Sequence, residues 1–496
     1  MNYLFSKKFL ILAVLCSFHL LVSCSSKTGL VPVEYGVVQT VNRACPSDMP
    51  HTGDDQCQLY EVPLNWSERN GETIDVFLRT FKRDEGNSDT SKGQIWVIDG
   101  GPGASGSTFS DPKFVELIHD TGWDLYIPTH RGVGFSTALD CGLQLKAFDA
   151  VFVKNCSRNL VKKYGDNLNW FSSIGAAHDL NYLIAANNPN KVPVILMGTS
   201  YGTLVAQRFV QQFEQAIDGV ILVSGTQISP AFENVSEHQE DTFKRILAHC
   251  DLQQDCADMF NVSAYDVAKA LILDDGWQQC EITQSNPVIA SQILGFLASN
   301  SKLRDDLPLT LKRLTRCNAE DVEMLKLTTA EIGKLMQKQY EQLFQFNPIA
   351  LHHQIFTEML SSDQDALDQF QSPKTKLLGD SVMPYIDNSR AWPSRKLPLN
   401  LPSQINTELP ILVLHGGLDI QAHVSWFNTL SSQLNGTAHH AILFEDAGHG
   451  TPNYTELNNG INCSWQLVES FLNNEDKTNL DTSCVEKVTP LRFNVQ

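Results

Sequence analysis

Basic residues are scarce in this sequence, 37 against 56 acidic ones, for a formal net charge of −19. A surface of that sign repels polyanions, which excludes nucleic acids and anionic membrane surfaces as electrostatic partners. Repeats and low-complexity tracts are missing, so neither a solenoid nor a long disordered linker is expected. After residue 22 no apolar run approaches the roughly 20 residues that a membrane-spanning helix needs. Cysteine spacings such as Cys250 to Cys256 do not match zinc ligand sets, and no glycine-rich stretch carries the Walker spacing and its lysine. What remains is an ordinary globular composition, 42% hydrophobic, in a chain of 496 residues. That is too long for one hydrophobic core, so a main domain with a large insertion or a second domain is expected.

Residues 1–23 read as an export leader. Lys7 and Lys8 precede an apolar stretch from Phe9 to Val22, which is too short to span a bilayer and ends in Leu21-Val22-Ser23-Cys24. This ending resembles the lipobox of bacterial lipoproteins, which implies acylation of Cys24 as the new N-terminus. Ser25 at the next position resembles the pattern of lipoproteins sent to an outer membrane. The expected location is the periplasmic face of the outer membrane or the cell surface, with an ordinary secretory leader as the alternative. Removing the leader takes away two lysines and no acid, so the charge moves from −19 to −21. Of the twelve cysteines, Cys16 lies in the leader and Cys24 is the proposed lipid site, which leaves an even ten. An even count in an exported protein predicts disulfides. Pairing of neighbours is the simplest arrangement: Cys45 with Cys57, Cys141 with Cys156, Cys250 with Cys256, Cys280 with Cys317, and Cys463 with Cys484.

Short apolar strands alternate with amphipathic helical stretches, the pattern of an α/β fold whose mostly parallel sheet is flanked by helices. Strands are predicted at Ile74 to Phe81, Gln94 to Asp99, Trp123 to Ile127, Val192 to Met197, Val220 to Val223, Ile411 to Leu414 and Ala441 to Phe444. Helices are predicted at Pro112 to His119, Ile174 to Ala186, Thr203 to Gln215, His423 to Leu434 and Asn462 to Leu472. The alternation stops over 229–395, which is rich in helix formers, and this stretch reads as a helical cap inserted between two parts of the core, 24–228 and 396–475. A tail, 476–496, would be pinned by Cys484.

Chemistry concentrates at Gly198-Thr199-Ser200-Tyr201-Gly202, directly behind the run Val192 to Met197 and ahead of the helical stretch from Thr203. This is the sequence of a nucleophile elbow, in which a serine stands on a strained strand-to-helix turn and small residues flank it because no Cβ fits there. A serine hydroxyl attacks only when a base takes its proton and a carboxylate orients that base. In the order serine, acid, base, Asp419 follows the strand Ile411 to Leu414 and His449 follows the strand Ala441 to Phe444. Both fall at the sheet edge where the elbow points. Asp446 competes as the acid, and His415 and His423 compete as the base. Acyl transfer also needs donors for the developing oxyanion. The backbone N–H of Tyr201 is one candidate. Gly101, in Asp99-Gly100-Gly101-Pro102-Gly103-Ala104-Ser105-Gly106, is the other. This chemistry calls for no cofactor and no metal.

Taken together, Gly100-Gly101-Pro102-Gly103, His130-Arg131-Gly132-Val133-Gly134-Phe135-Ser136, Gly198 to Gly202, Asp419 and His449 resemble the proline iminopeptidase and tripeptidyl aminopeptidase branch of the α/β-hydrolases. The likeness spans nearly the whole chain after the leader, and the segment Cys141 to Cys156 is similar to the secreted tripeptidyl type. The resemblance implies a serine exopeptidase acting on peptides with a free N-terminus under a helical cap, with Arg131 holding loops beside the site. It also points to Glu358, in Ile355-Phe356-Thr357-Glu358, as the carboxylate that would bind the substrate ammonium. The sequence departs from the family at several places. Asp99 stands where iminopeptidases commonly carry histidine. No cysteine precedes Glu358, and Ser389 occupies the position of the second cap cysteine, consistent with one bridge absent as a pair. Because fold and triad do not fix the acyl group, an esterase or other small-molecule hydrolase is the alternative. A binding protein without activity is the reading from another class, but it would need none of these motifs.

Overall fold

The computed structural model describes residues 40–46, 55–83, 91–141, 150–228, 232–286, 288–344, 349–360, 377, 378, 386, 392 and 399–496. The leader, Cys24 and Ser389 lie outside the described residues.

The strands β1 (Thr40–Arg43), β2 (Asp55–Pro63), β3 (Thr73–Phe81), β4 (Gln94–Ile98), β5 (Asp124–Pro128), β6 (Val194–Thr199), β7 (Gly219–Val223), β8 (Ile411–Gly416) and β9 (His439–Phe444) form one sheet. Their spatial order is β1-β2-β3-β5-β4-β6-β7-β8-β9. The first three pairings, through β3 with β5, are antiparallel, and from β5 across to β9 every pairing is parallel. The central strands β4, β7 and β8 are buried at every residue, as a parallel sheet covered by helices on both faces demands. In contrast, β2 buries only Cys57, Tyr60 and Val62, and β1 none, so this edge of the sheet faces solvent.

Between β7 and β8 the described chain is helical, from Val235–Asp251 through Ala319–Phe344 to Ile349–Glu358. These helices share an apolar cluster, which includes Phe243, Leu247, Leu294, Leu311 and Leu325 and is joined by Leu418 and Ile420 from the loop after β8. Leu491 and Phe493 from the C-terminal segment enter the same cluster, so the end of the chain straps the helical layer to the sheet. Hydrogen bonds to the backbone fix that strap. Leu491 N–H donates to Asp446 Oδ2, and the side-chain amide of Gln253 bridges Leu491 O and Phe493 N–H.

Among the described residues five disulfides join neighbours in sequence, Cys45–Cys57, Cys141–Cys156, Cys250–Cys256, Cys280–Cys317 and Cys463–Cys484, with Cα separations of 5.2 to 5.6 Å. Five such bridges belong to an oxidising compartment outside the cytoplasm. Among the described residues no helix is long and apolar enough to cross a membrane.

Candidate active site

The elbow is built by close backbone approaches that only glycine permits. A Cβ on Gly198 would lie 2.5 Å from the carbonyl oxygen of Gly202, and one on Gly202 would lie 2.2 Å from that of Ile98. Between them Ser200 takes φ 51°, a left-handed conformation that is strained for a residue with a Cβ. The strain is held by Ser200 N–H donating to Val223 O at 2.9 Å and by Ser200 O accepting from Thr203 Oγ1 at 2.6 Å. The helix Gly202–Phe213 starts immediately after, with Tyr201 at its N-terminal boundary. The field of that helix end therefore falls on the serine.

The loop after β4 lies against the serine. Gly100 is so close that a Cβ there would sit 2.7 Å from Ser200 Cβ, and Gly101 takes φ +106°. Asp99 shapes this loop: one carboxylate oxygen accepts from Gly100 N–H at 2.7 Å and the other from Gly106 N–H at 3.2 Å. Burial raises the Asp99 carboxyl above its ordinary range, against those two backbone bonds.

His449 follows β9 and is held from two sides. Its Nδ1 sits 3.0 and 2.8 Å from the two oxygens of Asp419, which is fully buried after β8. Because a carboxylate only accepts, Nδ1 carries the proton and Nε2 is left as a base. Burial alone would raise the Asp419 carboxyl. The His449 ring, with help from His415 and the Ala422 N–H, outweighs it and holds the group below its usual range. From the other side, Ser224 Oγ accepts from the N–H groups of Gly450 and Thr451 at 2.9 and 3.2 Å. Ser224 is itself a left-handed residue at φ 51°, just beyond β7. Sequence reasoning missed it, since a lone serine past a strand carries no motif.

The competing residues point elsewhere. Asp446 accepts from Leu491 N–H and lies 3.6 Å from His249, in the strap between the core and the helical layer. His415 is fully buried and its Nε2–H donates to Ala422 O at 2.9 Å. His423 caps the helix Val424–Ser431 through Ser425 N–H and reaches Asp241 at 3.1 Å.

Arg131 is buried, with its guanidinium paired to Asp179 and donating to the carbonyls of Pro63, Leu64 and Trp170. One side chain thus ties the end of β2, the loop after β5, the turn at Trp170 and the middle of the helix Ser173–Asn187. Its neighbour His130 was not singled out from the sequence, yet its Nε2 lies 3.0 Å from the Tyr201 hydroxyl. The other ring nitrogen faces Arg131 O and must therefore carry the proton, so Tyr201 O–H donates to Nε2. Burial pushes the His130 pKa down to about 4, which keeps the ring neutral and this arrangement intact at neutral pH.

Glu358 is half-buried at the end of the helix Ile349–Glu358. It accepts from Ser173 N–H at 3.1 Å and from Ser173 Oγ, at the start of Ser173–Asn187. Burial raises its carboxyl, partly offset by Ser173 and by the charge of Arg208.

Two cavities meet at Ser200. One, of about 210 Å³, is walled by Tyr201, Phe232, Val235, Phe356, Met359 and Trp426, with the amides of Gln239 and Gln421. The other, of about 610 Å³, is lined by His449, Asp99, Ser105, Asn453 and a group of aromatic rings. Ser200, Gly101 and Gln421 border both, whereas Glu358 borders neither.

Among curated proteins none matches the sequence. Several solved structures are similar in arrangement at low identity. The proline iminopeptidase of Mycobacterium smegmatis is 12% identical over 79% of this chain and 91% of that chain, with a TM-score of 0.39. Acetyl xylan esterase 1 of a Thermoanaerobacterium species is 11% identical over 84% and 83%, with a TM-score of 0.34. The proline iminopeptidase-related protein of Thermus thermophilus is 12% identical over 80% and 91%, with a TM-score of 0.31. Residues 95–259 match the family model described as the alpha/beta hydrolase fold, and with its parallel sheet, flanking helices and serine elbow the chain has the α/β-hydrolase fold.

Proposed function

We infer that the protein is a serine hydrolase of the exopeptidase type, acting on peptides with a free N-terminus through an acyl-enzyme at Ser200. The observation that carries the hydrolase part of this reading is the buried Asp419 carboxylate on His449 Nδ1, which leaves Nε2 as a base at the edge of the cleft that Ser200 also lines, and the free-N-terminus part rests on the sequence resemblance. In the first step Ser200 Oγ attacks the acyl carbon and its proton passes to His449 Nε2. The oxyanion forms against the backbone N–H groups of Tyr201 and Gly101. The C–N bond then breaks as His449 returns the proton to the departing amine. Water, deprotonated by the same imidazole, releases the acyl group and restores Ser200.

A substrate ammonium entering an enclosed site needs a carboxylate partner, and the sequence resemblance makes Glu358 the candidate; because it borders neither cavity, its contacts with Ser173 must open for it to serve. Glu358→Gln is expected to raise KM for free-N-terminus peptide arylamides several-fold. A short-chain ester serves as the reference, and its KM should not move with the peptide's. Wild-type enzyme should also prefer free over N-acetylated peptides. Equal cleavage of the two would end the exopeptidase reading. The second reading is an esterase. It is favoured by the 210 Å³ cavity, in whose walls no ionised side chain stands among the described residues, and by the engagement of Glu358 with Ser173.

We also propose that the chain is anchored through lipid on Cys24. Cys24→Ser should move the protein from the membrane to the soluble fraction, because the acyl chains would supply the membrane affinity. A wild-type protein that is already soluble and unlipidated would refute the anchor.

A further inference from the structure

We propose that the 610 Å³ cleft receives the leaving portion of the substrate, and that Phe109, Phe114 and Trp465 form an aromatic subsite there for the residue just beyond the scissile bond. The proposal rests on Ser200 and His449 acting as nucleophile and base, as inferred above.

The two cavities at Ser200 are not equivalent. His449 lines only the larger one, and Tyr201 lines only the smaller. When the tetrahedral adduct collapses, the C–N bond breaks and the proton on His449 Nε2 moves to the departing nitrogen. That nitrogen must therefore lie on the His449 side, so the chain attached to it runs into the larger cleft. The acyl portion, whose oxyanion is held by Tyr201 N–H, falls on the side of the smaller cavity.

The three rings come from separate elements: Phe109 from the turn Ser107–Ser110, Phe114 from the helix Pro112–Thr121 and Trp465 from the helix Cys463–Asn473. Phe109 meets Phe114 edge to face at 5.1 Å between centroids, and Phe114 meets Trp465 in the same way at 5.5 Å. Each ring is only partly buried and lines the cleft, so the cluster presents aromatic surface to whatever enters. Trp465 stands on a firm base, because Asn462 caps its helix and the Cys463–Cys484 bridge clamps the first turn. An incoming ring can extend such an edge-to-face array without loss of existing contacts. Among the described residues no lysine or arginine lines the cleft, and Asp99 does. A free carboxylate directly after the scissile bond would meet no lysine or arginine among them, so the preferred leaving groups carry an aromatic side chain and continue as an amide.

The test uses acyl transfer, which runs the leaving step backwards. The enzyme is acylated with a short-chain p-nitrophenyl ester, and glycinamide or phenylalaninamide is added as acceptor. The acceptor nitrogen attacks the acyl carbon, gives its proton to His449, and the C–O bond to Ser200 breaks with return of that proton to Ser200 Oγ. Aminolysis and hydrolysis products arise from one acyl-enzyme, so their ratio is independent of how much enzyme is active. Phenylalaninamide should give a ratio about tenfold above glycinamide, and Trp465→Ala should bring the two within about twofold. Phe114→Leu should do the same, and serves where Trp465→Ala does not fold. A wild-type enzyme that shows a burst but no preference overturns the subsite alone, as does a preference that survives both substitutions. A wild-type enzyme with no burst and no fluorophosphonate labelling overturns the Ser200 reading, and the subsite with it.

Discussion

Ser200→Ala is expected to abolish labelling by a fluorophosphonate probe and to lower the rate of hydrolysis by on the order of 10⁵- to 10⁶-fold, the loss seen when the nucleophile of such a triad is removed. Its stability should change by no more than about 0.5 kcal/mol. The reason is local. Alanine keeps the Cβ that packs against Gly100, and the bonds that hold φ at 51° run through the backbone N–H and C=O of residue 200, which the substitution leaves in place. The variant therefore separates chemistry from folding. A mutant that still takes up the probe would place the nucleophile at another serine and remove the basis of the functional reading.

How far the sequence announced this site depends on where the determining forces act. The elbow was legible because its constraint is local: a left-handed serine between a buried strand and a helix tolerates only glycine at positions 198 and 202. Asp419 and His449 stood out as candidates because each lies just past an apolar strand, and the fold brings the two side chains into contact. Helix starts were read one residue early at His423 and Asn462, and the structure shows both to be caps whose side chains accept from Ser425 N–H and Trp465 N–H. A cap belongs to the sequence of the helix without belonging to its hydrogen-bond ladder. The strand predicted from Val192 begins at Val194, because Pro193 has no N–H and enters the sheet only through its carbonyl, which accepts from Gln94 N–H.

Long-range features stayed hidden. β1 and β2 gave no signal, since β1 buries nothing and β2 buries only Cys57, Tyr60 and Val62, a spacing without alternation, among glutamines and acids; β2 forms on the edge of β3, and β1 on β2. The helix Ala150–Tyr164 was missed behind its cysteine. Ser224, His130 and Ser173 act through partners 226, 71 and 185 residues away, separations at which no sequence motif operates. Glu358 shows the limit most clearly. Likeness to a family motif singles out the residue, but only the fold shows that its carboxylate already serves the N-terminus of another helix.

The choice between Asp419 and Asp446 leads to the second large effect, a loss of about 10⁴-fold in kcat for Asp419→Asn. The size follows from which way the amide must face. Asp419 Oδ1 accepts from the backbone N–H groups of Gln421 and Ala422 at 2.9 and 2.8 Å. Those donors are fixed, so asparagine would place its carbonyl oxygen on them and turn its NH₂ toward His449. An NH₂ group there can only donate, which strips the proton from Nδ1 and puts it on Nε2. Nε2–H cannot accept a proton from Ser200, so the base is lost although every ring stays near its place. Asp446→Asn offers the contrast. Its carboxylate bonds Leu491 N–H and faces His249 in the strap, an arrangement that an amide can largely keep. Its kcat should stay within a few-fold of wild type, with any cost falling on thermal stability. If Asp446→Asn proves the more damaging of the two, the orienting acid lies on the strap and Asp419 is a structural group. If Asp419→Asn instead retains most of its rate, His449 does not act through the tautomer that the Asp419 contact imposes.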